Sequence, residues 1–278
     1  MRLSDIGVGS KDDKRDGPLQ CGACDQIFLM KHVLAALIFF TRLPFWRLGE
    51  VPAEYYKNVV RYWPYVGWLT GGIMAAVYLG ATCVLPKSCA VVLALTARLL
   101  VTGALHEDGF ADFADGFGGG TNRSRILEIM KDSHIGTYGV IALIVYYILF
   151  TGIASSLPIK VAAGAFVACD AWSKFAASTI VNFLPYARKI EEAKNHTIYN
   201  RTGFLAGVAG CLGGAIPLLL LPVKYIASLI MPVLIAPLLF MLMKRKIQGY
   251  TGDCCGATFI ICELGMWLGI AVLYGLGL

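Results

Sequence analysis

An all-α polytopic membrane protein, with about seven transmembrane helices and a short interfacial or re-entrant helix near its amino terminus, is the fold class that the sequence predicts. Three observations lead there. Of 278 residues, 57% are hydrophobic and 15% charged, and the mean hydropathy is +0.66, a composition far from that of a soluble domain. Apolar runs of about 20 residues, the length one bilayer-crossing helix needs, recur along the chain. The basic residues collect in alternate connecting segments.

Residues 1–27 are polar and mixed in charge, with Lys11, Asp12, Asp13, Lys14, Arg15 and Asp16 in one run. They lack the apolar stretch of a cleavable signal and read as a flexible tail ahead of a single integral membrane domain, 28–278. Cys21 and Cys24 share a C-x-x-C spacing, but no second Cys or His pair stands at a matching distance, so no zinc site is read there. Most other cysteines (Cys83, Cys89, Cys169, Cys211, Cys262) lie inside apolar runs and behave as small apolar residues.

Val33 to Thr41, bracketed by Lys31, His32 and Arg42, is apolar for only about half a span, and gives the interfacial or re-entrant helix. Longer runs follow at 62–85, 88–106, 137–157, 159–184, 203–222, 224–243 and 257–277. Arg42, Arg47, Lys57 and Arg61 precede the first run, and Arg123, Arg125 and Lys131 follow the second. Arg188, Lys189, Lys194 and Arg201 follow the fourth, and Lys244, Arg245 and Lys246 the sixth. The alternate connections carry Lys87, Lys160 and Lys224 alone. By the positive-inside rule the basic connections are cytoplasmic, with the amino terminus inside and the carboxyl terminus on the far side of the cell inner membrane. Making the short helix an eighth span would move the basic amino terminus outside. The net charge of +6 is modest and confined to these connections, which excludes a nucleic-acid footprint. A homo-oligomer is compatible with the sequence, and no motif specifies one.

The chemistry concentrates in His106-Glu107-Asp108-Gly109-Phe110-Ala111-Asp112-Phe113-Ala114-Asp115-Gly116, followed by Gly118 to Gly120 and by Lys131-Asp132-Ser133-His134. Six of the 18 acidic residues fall between Glu107 and Asp132. At 100° per residue, Asp108, Asp112 and Asp115 share one helix face within about 60°. Three such carboxylates repel one another unless a cation sits among them. Hard oxygen donors favour Mg²⁺, Mn²⁺ or Ca²⁺, and Mg²⁺ commonly bridges carboxylates to substrate phosphates. Gly109, Gly116 and Gly118 to Gly120 permit close backbone approach. With Arg123, Arg125 and Lys131 they form a candidate phosphate cradle.

His106 is a candidate base, although on a straight helix it lies nearly opposite Asp108. Arg188, in Leu184-Pro185-Tyr186-Ala187-Arg188, suits either bidentate phosphate recognition or a plain surface anchor. Asp253, in Gly249-Tyr250-Thr251-Gly252-Asp253, suits a metal ligand, a hydroxyl-orienting group or a turn cap. Asp170 and Lys174 stand one turn apart and can pair inside a span, either as a neutralised structural pair or in contact with a polar substrate. Arg98 lies about 15 Å up the helix from Asp108 at 1.5 Å per residue, and has no evident partner. Glu263 reads as a ligand or a snorkelling side chain.

H-E-D-G-F-A-D-x-x-D-G-x-G-G-G, together with R-x-L-E-I-M-K-D-S-x-I-G-T-Y-G, resembles the cobalamin synthase family of adenosylcobinamide-GDP ribazoletransferases. The likeness extends to Arg42-Leu43-Pro44, to Trp63-Pro64-Tyr65-Val66-Gly67, to the segments around Arg188 and Asp253, and to Gly256-Ala257 and Glu263. It implies a Mg²⁺-dependent membrane transferase. The ribose hydroxyl of α-ribazole, or of its 5′-phosphate, would attack the cobinamide-linked phosphorus of adenosylcobinamide-GDP, expel GMP and give adenosylcobalamin or its phosphate. It implies Asp108, Asp112 and Asp115 for the metal, Lys131 and Arg188 for the diphosphate, and Asp132, Asp253 or His106 for hydroxyl activation. Lys174 departs from the family, where Arg is expected, keeping the charge without the bidentate geometry. A CDP-alcohol phosphotransferase or a prenyl-diphosphate transferase would also carry aspartates at helix ends, but Asp112 stands where the former's D-G-x-x-A-R run needs Arg. A transporter is the non-enzyme alternative. It would need its carboxylates at mid-bilayer.

Overall fold

In the computed structural model, residues 22–188 and 199–277 are described. Among them the chain is predominantly helical, without a strand, and a single parallel bridge joins Tyr186 to Tyr250. Helix α1 (Gly22–Phe40) leads, then the one-turn α2 (Ala53–Tyr56), α3 (Trp63–Thr82) and α4 (Lys87–Thr102). Next come α5 (Leu105–Gly119), which carries the acidic motif, α6 (Arg123–Ile129), α7 (Thr137–Ser156) and α8 (Ile159–Ser178). The short α9 (Ile180–Phe183) and α10 (Phe204–Ala215) follow, the latter continued by a 3₁₀ turn over Ile216–Leu220. A second such turn, Val223–Leu229, runs into α11 (Ile230–Ile247), and α12 (Gly252–Gly275) closes the chain.

Among the described residues, three segments are long and apolar enough to cross a membrane: Thr137–Ser156, Val223–Ile247 and Gly252–Gly275. The α4–α5 pair makes a fourth if it is counted as one span bent by 93°. These helices fit a multi-pass membrane protein, but by this measure the seven expected spans are not reproduced. Helices α3 and α8 are each 20 residues long, yet glycines, and in α8 the charges Lys160, Asp170 and Lys174, dilute their apolar character. Both are interior helices. A Cβ on Gly67 would lie 2.6 Å from the Ala171 Cα, and one on Gly71 2.7 Å from the Val167 Cα, so small residues let the two backbones touch. The outward faces of α7 and α11 instead expose Ile141, Ile144, Ile148, Val233, Leu234 and Leu238, the surface a lipid-facing helix presents. At the centre, the rings of Phe150, Phe166 and Trp267 interlock at 5.0–6.1 Å.

Two boundaries differ from the sequence expectation. Helix α1 starts at Gly22, so its first turns come from the segment read as tail; Cys21 and the residues before it lie outside the described residues, as do Lys189 and Lys194. The run at 88–106 is not one helix. It ends at Thr102, where Gly103 (φ 66°) and Ala104 (φ 57°) both turn left-handed and α5 starts in a new direction. Gly103 is needed twice over, for that φ and because the Arg42 guanidinium packs where a Cβ would stand.

Candidate functional site

The turn at Gly103–Ala104 makes Leu105 and His106 the first residues of α5, so the helix presents its N-terminal end to a cavity of about 270 Å³. Leu105, His106 and Asp108 line that cavity from α5, and Gly252, Asp253, Cys255 and Gly256 line it from the first turns of α12. Two helix N-termini therefore face one space. Their first-turn amides lack intrahelical acceptors and their dipoles favour negative charge there. Thr251 caps α12, its Oγ1 accepting from the Cys254 N–H at 3.4 Å. The helices meet closely because both contribute glycine: a Cβ on Gly109 would sit 3.0 Å from the Asp253 Cα, and one on Gly256 3.0 Å from the His106 carbonyl oxygen.

Arg188 reaches the same cavity from the connection after α9. The bridge that places it is local: the Ala187 N–H donates to the Tyr250 carbonyl at 2.8 Å and the Tyr250 N–H to the Pro185 carbonyl at 2.9 Å. The two segments read from sequence as completing the site are thus laid side by side. Arg188 donates to the Leu127 carbonyl at 3.1 Å and stands 4.0 Å from Asp253. Tyr186 and Tyr199 line the opening. Burial raises both phenols above their ordinary range, in Tyr186 against the pull of Arg188, so each keeps its proton at neutral pH.

His106 and Asp108 share this cavity although helical spacing puts them on nearly opposite faces. An end-on cavity wraps around a first turn, so the face argument loses its force there. His106 is 1% exposed. It lies roughly parallel to Trp63 at 5.4 Å and to Phe40 at 6.3 Å, and neither ring nitrogen has a hydrogen-bond partner.

The three aspartates differ in environment. Asp108 is exposed at the cavity and Asp112 is half-buried one turn further on. Asp115 is buried, accepting from the Gly136 N–H at 2.7 Å and the Gly139 N–H at 2.8 Å, so both oxygens cap the start of α7. Among the described residues, no group of three or more His, Cys, Asp or Glu side chains is placed to hold an ion. Mg²⁺ characteristically takes one or two protein carboxylates and completes its shell with substrate phosphate and water. Asp108 and Asp112, one helical turn apart, offer two such carboxylates, although Asp112 does not line the cavity, and Asp115 is taken up by the start of α7.

The remaining candidates lie elsewhere. Arg123 donates to the Ile247 carbonyl at 2.9 Å and to the Ala187 carbonyl at 2.7 Å, so it clamps the Arg188 segment instead of reaching substrate. Arg125 pairs with Glu128 at 2.9 Å on the surface. Asp132 is exposed, accepts from the His134 N–H at 3.0 Å and lies 2.7 Å from that ring. Those contacts with His134 hold its carboxyl below the usual range. Arg125, Asp132 and the far end of α5 line a second depression, about 10 Å along the helix from Asp108. Lys131 is exposed beside it.

Lys174, expected to meet substrate, is fully buried with its Nζ on Asp170 and on the Thr70 hydroxyl. An ammonium sealed among α3, α8 and the Phe259 ring has no surface to offer a ligand. It belongs to an interior network that also gives Arg98 its partners. The Arg98 guanidinium donates to both Glu263 oxygens at 2.7 and 2.8 Å, to Glu107 at 3.1 Å and to the Tyr146 hydroxyl at 2.6 Å. One cation therefore ties α5, through Glu107, to α12, through Glu263, immediately behind the cavity. Glu107 and Arg98 were missed as a pair because their contact depends on the 93° bend, which puts α5 back against α4.

The model of the Cobalamin-5-phosphate synthase family matches residues 32–271. Adenosylcobinamide-GDP ribazoletransferase of Shewanella amazonensis is 39% identical over 251 residues, covering 87% of this chain and 95% of that one. The protein of the same name from Clostridium novyi is 33% identical, covering 90% and 100%, and that from Leptospira biflexa 31%, covering 86% and 97%. No solved structure matches. The chain belongs to the Cobalamin-5-phosphate synthase family.

Proposed function

We propose that this chain performs the transfer its relatives are named for, joining α-ribazole or its 5′-phosphate to adenosylcobinamide-GDP with release of GMP. The observation that carries the site is the convergence of Asp108, Asp253 and Arg188 on a cavity faced by two helix N-termini. In the reaction a ribose oxygen bonds to the cobinamide-linked phosphorus, the bond to GMP breaks with its electrons on the departing phosphate, and the hydroxyl proton passes to a base. Arg188 and the helix N-termini hold and orient the diphosphate, stabilising charge that grows on its oxygens. Asp253, whose carboxylate lines the cavity 4.0 Å from Arg188, is the proton acceptor. Asp132, held as a weaker base than an ordinary carboxylate and away from the cavity, is not. Mg²⁺ held by Asp108 and Asp112 would neutralise the diphosphate when bound.

The seven-span arrangement belongs to the same proposal, with α3, α4, α7, α8, the α10 segment to Leu220, the segment 223–247 and α12 as spans. The amino terminus is then cytoplasmic and the carboxyl terminus across the inner membrane. The test is product formation by membranes containing the protein, supplied with adenosylcobinamide-GDP, α-ribazole 5′-phosphate and Mg²⁺. Adenosylcobalamin phosphate and GMP in equal amounts, abolished by chelator and by Asp112→Asn, are expected. No product from folded wild type overturns the assignment.

A further inference from the structure

The cavity has two unlike walls. One is charged, formed by Asp108, Arg188 and Asp253. The other is aromatic: Phe40 and Trp63 lie parallel at 5.0 Å and 6°, and Phe39 meets Tyr199 edge-on at 6.1 Å. At the floor, where these walls meet, His106 is 1% exposed with both ring nitrogens unbonded. Buried polar atoms nearly always have partners, so the floor lacks one that a ligand would supply.

Resting on the function proposed above, we propose that this cavity is the acceptor site: it takes the nucleoside, stacking its benzimidazole-type base on the aromatic wall and turning its ribose toward His106 and Asp253. Size supports this, since about 270 Å³ sits at the lower edge of the small-molecule pocket range of about 300–1,000 Å³. It holds a nucleoside and excludes a corrin macrocycle. Ring-edge chemistry separates the two flat bases that the reaction brings. Guanine carries a carbonyl, a ring N–H and an amino group on its edge, each costing about 1–3 kcal/mol if buried unpaired. The outer edge of a benzimidazole is hydrocarbon. Of the wall it would face, Phe39, Phe40, Val60 and Leu105 offer no side-chain hydrogen-bonding group and Trp63 offers only an indole donor, so guanine, whose ring N–H and amino group need acceptors, stays outside while the diphosphate reaches in.

Calorimetry on the full-length protein in detergent, with Mg²⁺ present, tests the assignment by titrating α-ribazole and GMP separately. Phe39→Ala and Tyr199→Ala, both at half-buried positions, should weaken α-ribazole at least tenfold and leave GMP affinity within twofold, which also shows that the variants are folded. In the wild type, GMP should fail to displace bound α-ribazole. Displacement by GMP, or variants that weaken GMP and spare α-ribazole, would overturn the acceptor site while leaving the transferase reading intact. A folded wild type that binds neither ligand and forms no product would overturn both.

Discussion

The two ends of α5 start from nearly the same sequence chemistry and arrive at different roles. At the N-terminal end, Asp108 opens to a cavity beside Arg188 and Asp253, and His106 keeps two unbonded nitrogens. At the C-terminal end, Asp115 stands on the same helix face, but both its oxygens are taken by backbone N–H groups at the start of α7. What separates the two is what the next element supplies. A helix start that arrives with unpaired amides consumes a carboxylate as its cap, whereas the two helix starts that converge on the cavity set Asp108 and Asp253 along its lining, the latter 4.0 Å from Arg188. A run of aligned aspartates is therefore a mixture of architecture and chemistry, and substitution can sort one from the other.

The largest effect falls at the cavity end. Asp108→Asn removes a charge at the proposed diphosphate site, and kcat should drop about a thousandfold, with the thermal midpoint in detergent unchanged. Activity within tenfold of wild type would place the essential carboxylate elsewhere. At the other end the order inverts. Asp115→Ala strands two amide donors on α7, and should cost about 3 kcal/mol of stability at two charge-assisted hydrogen bonds, read as a lowered midpoint before any substrate is added. A stable but inactive Asp115→Ala would erase the contrast and return Asp115 to the metal set.

Between the ends, Gly109 tests how finely α5 is seated on α12. An added Cβ would lie 3.0 Å from the Asp253 Cα and 3.2 Å from its carbonyl oxygen. Backbone cannot swing aside as a flexible side chain can, so α12 must shift by a few tenths of an ångström and carry Asp253 with it. Gly109→Ala should lower kcat about tenfold with little change in unfolding. Full activity would show that Asp253 needs no such placement.

What could be read in advance follows a physical divide. The helix over the acidic motif, the alignment of its aspartates and the i, i+4 pairing of Asp170 with Lys174 are local, set by 3.6-residue periodicity, and the structure has all of them. The meeting of the Arg188 and Asp253 segments was legible more coarsely, because both follow apolar runs that end on the basic side. Other features depend on direction in space. The bend at Gly103–Ala104 had one visible signal, a glycine, but its partner is an alanine in a conformation that alanine rarely adopts. Everything routed through that bend was hidden: the Arg98 pairing with Glu107 and Glu263, the placing of His106 in the cavity lining beside Asp108, and the separation of Asp132 from Asp108. Lys174 was legible as the neighbour of Asp170, but whether it met substrate or was sealed inside stayed open, because periodicity fixes neighbours along α8 and says nothing of what covers them.

Asp132 gives the smallest expected effect and tests the divide most directly. The His134 N–H and ring hold its carboxyl below the ordinary range. It is therefore ionised throughout the neutral region, and any stability it contributes is present above the unfolded-state value and lost only as acid protonates the folded form. A general base held below the ordinary carboxylate range would put its acid limb below the neutral region. Asp132→Asn should change kcat/KM by less than about twofold and leave the pH–rate profile between about pH 5 and 9 superimposable on wild type. A drop in kcat/KM of tenfold or more with the fold intact would make Asp132 part of the proton path, and would require the α6 end of the molecule to close on the cavity during turnover.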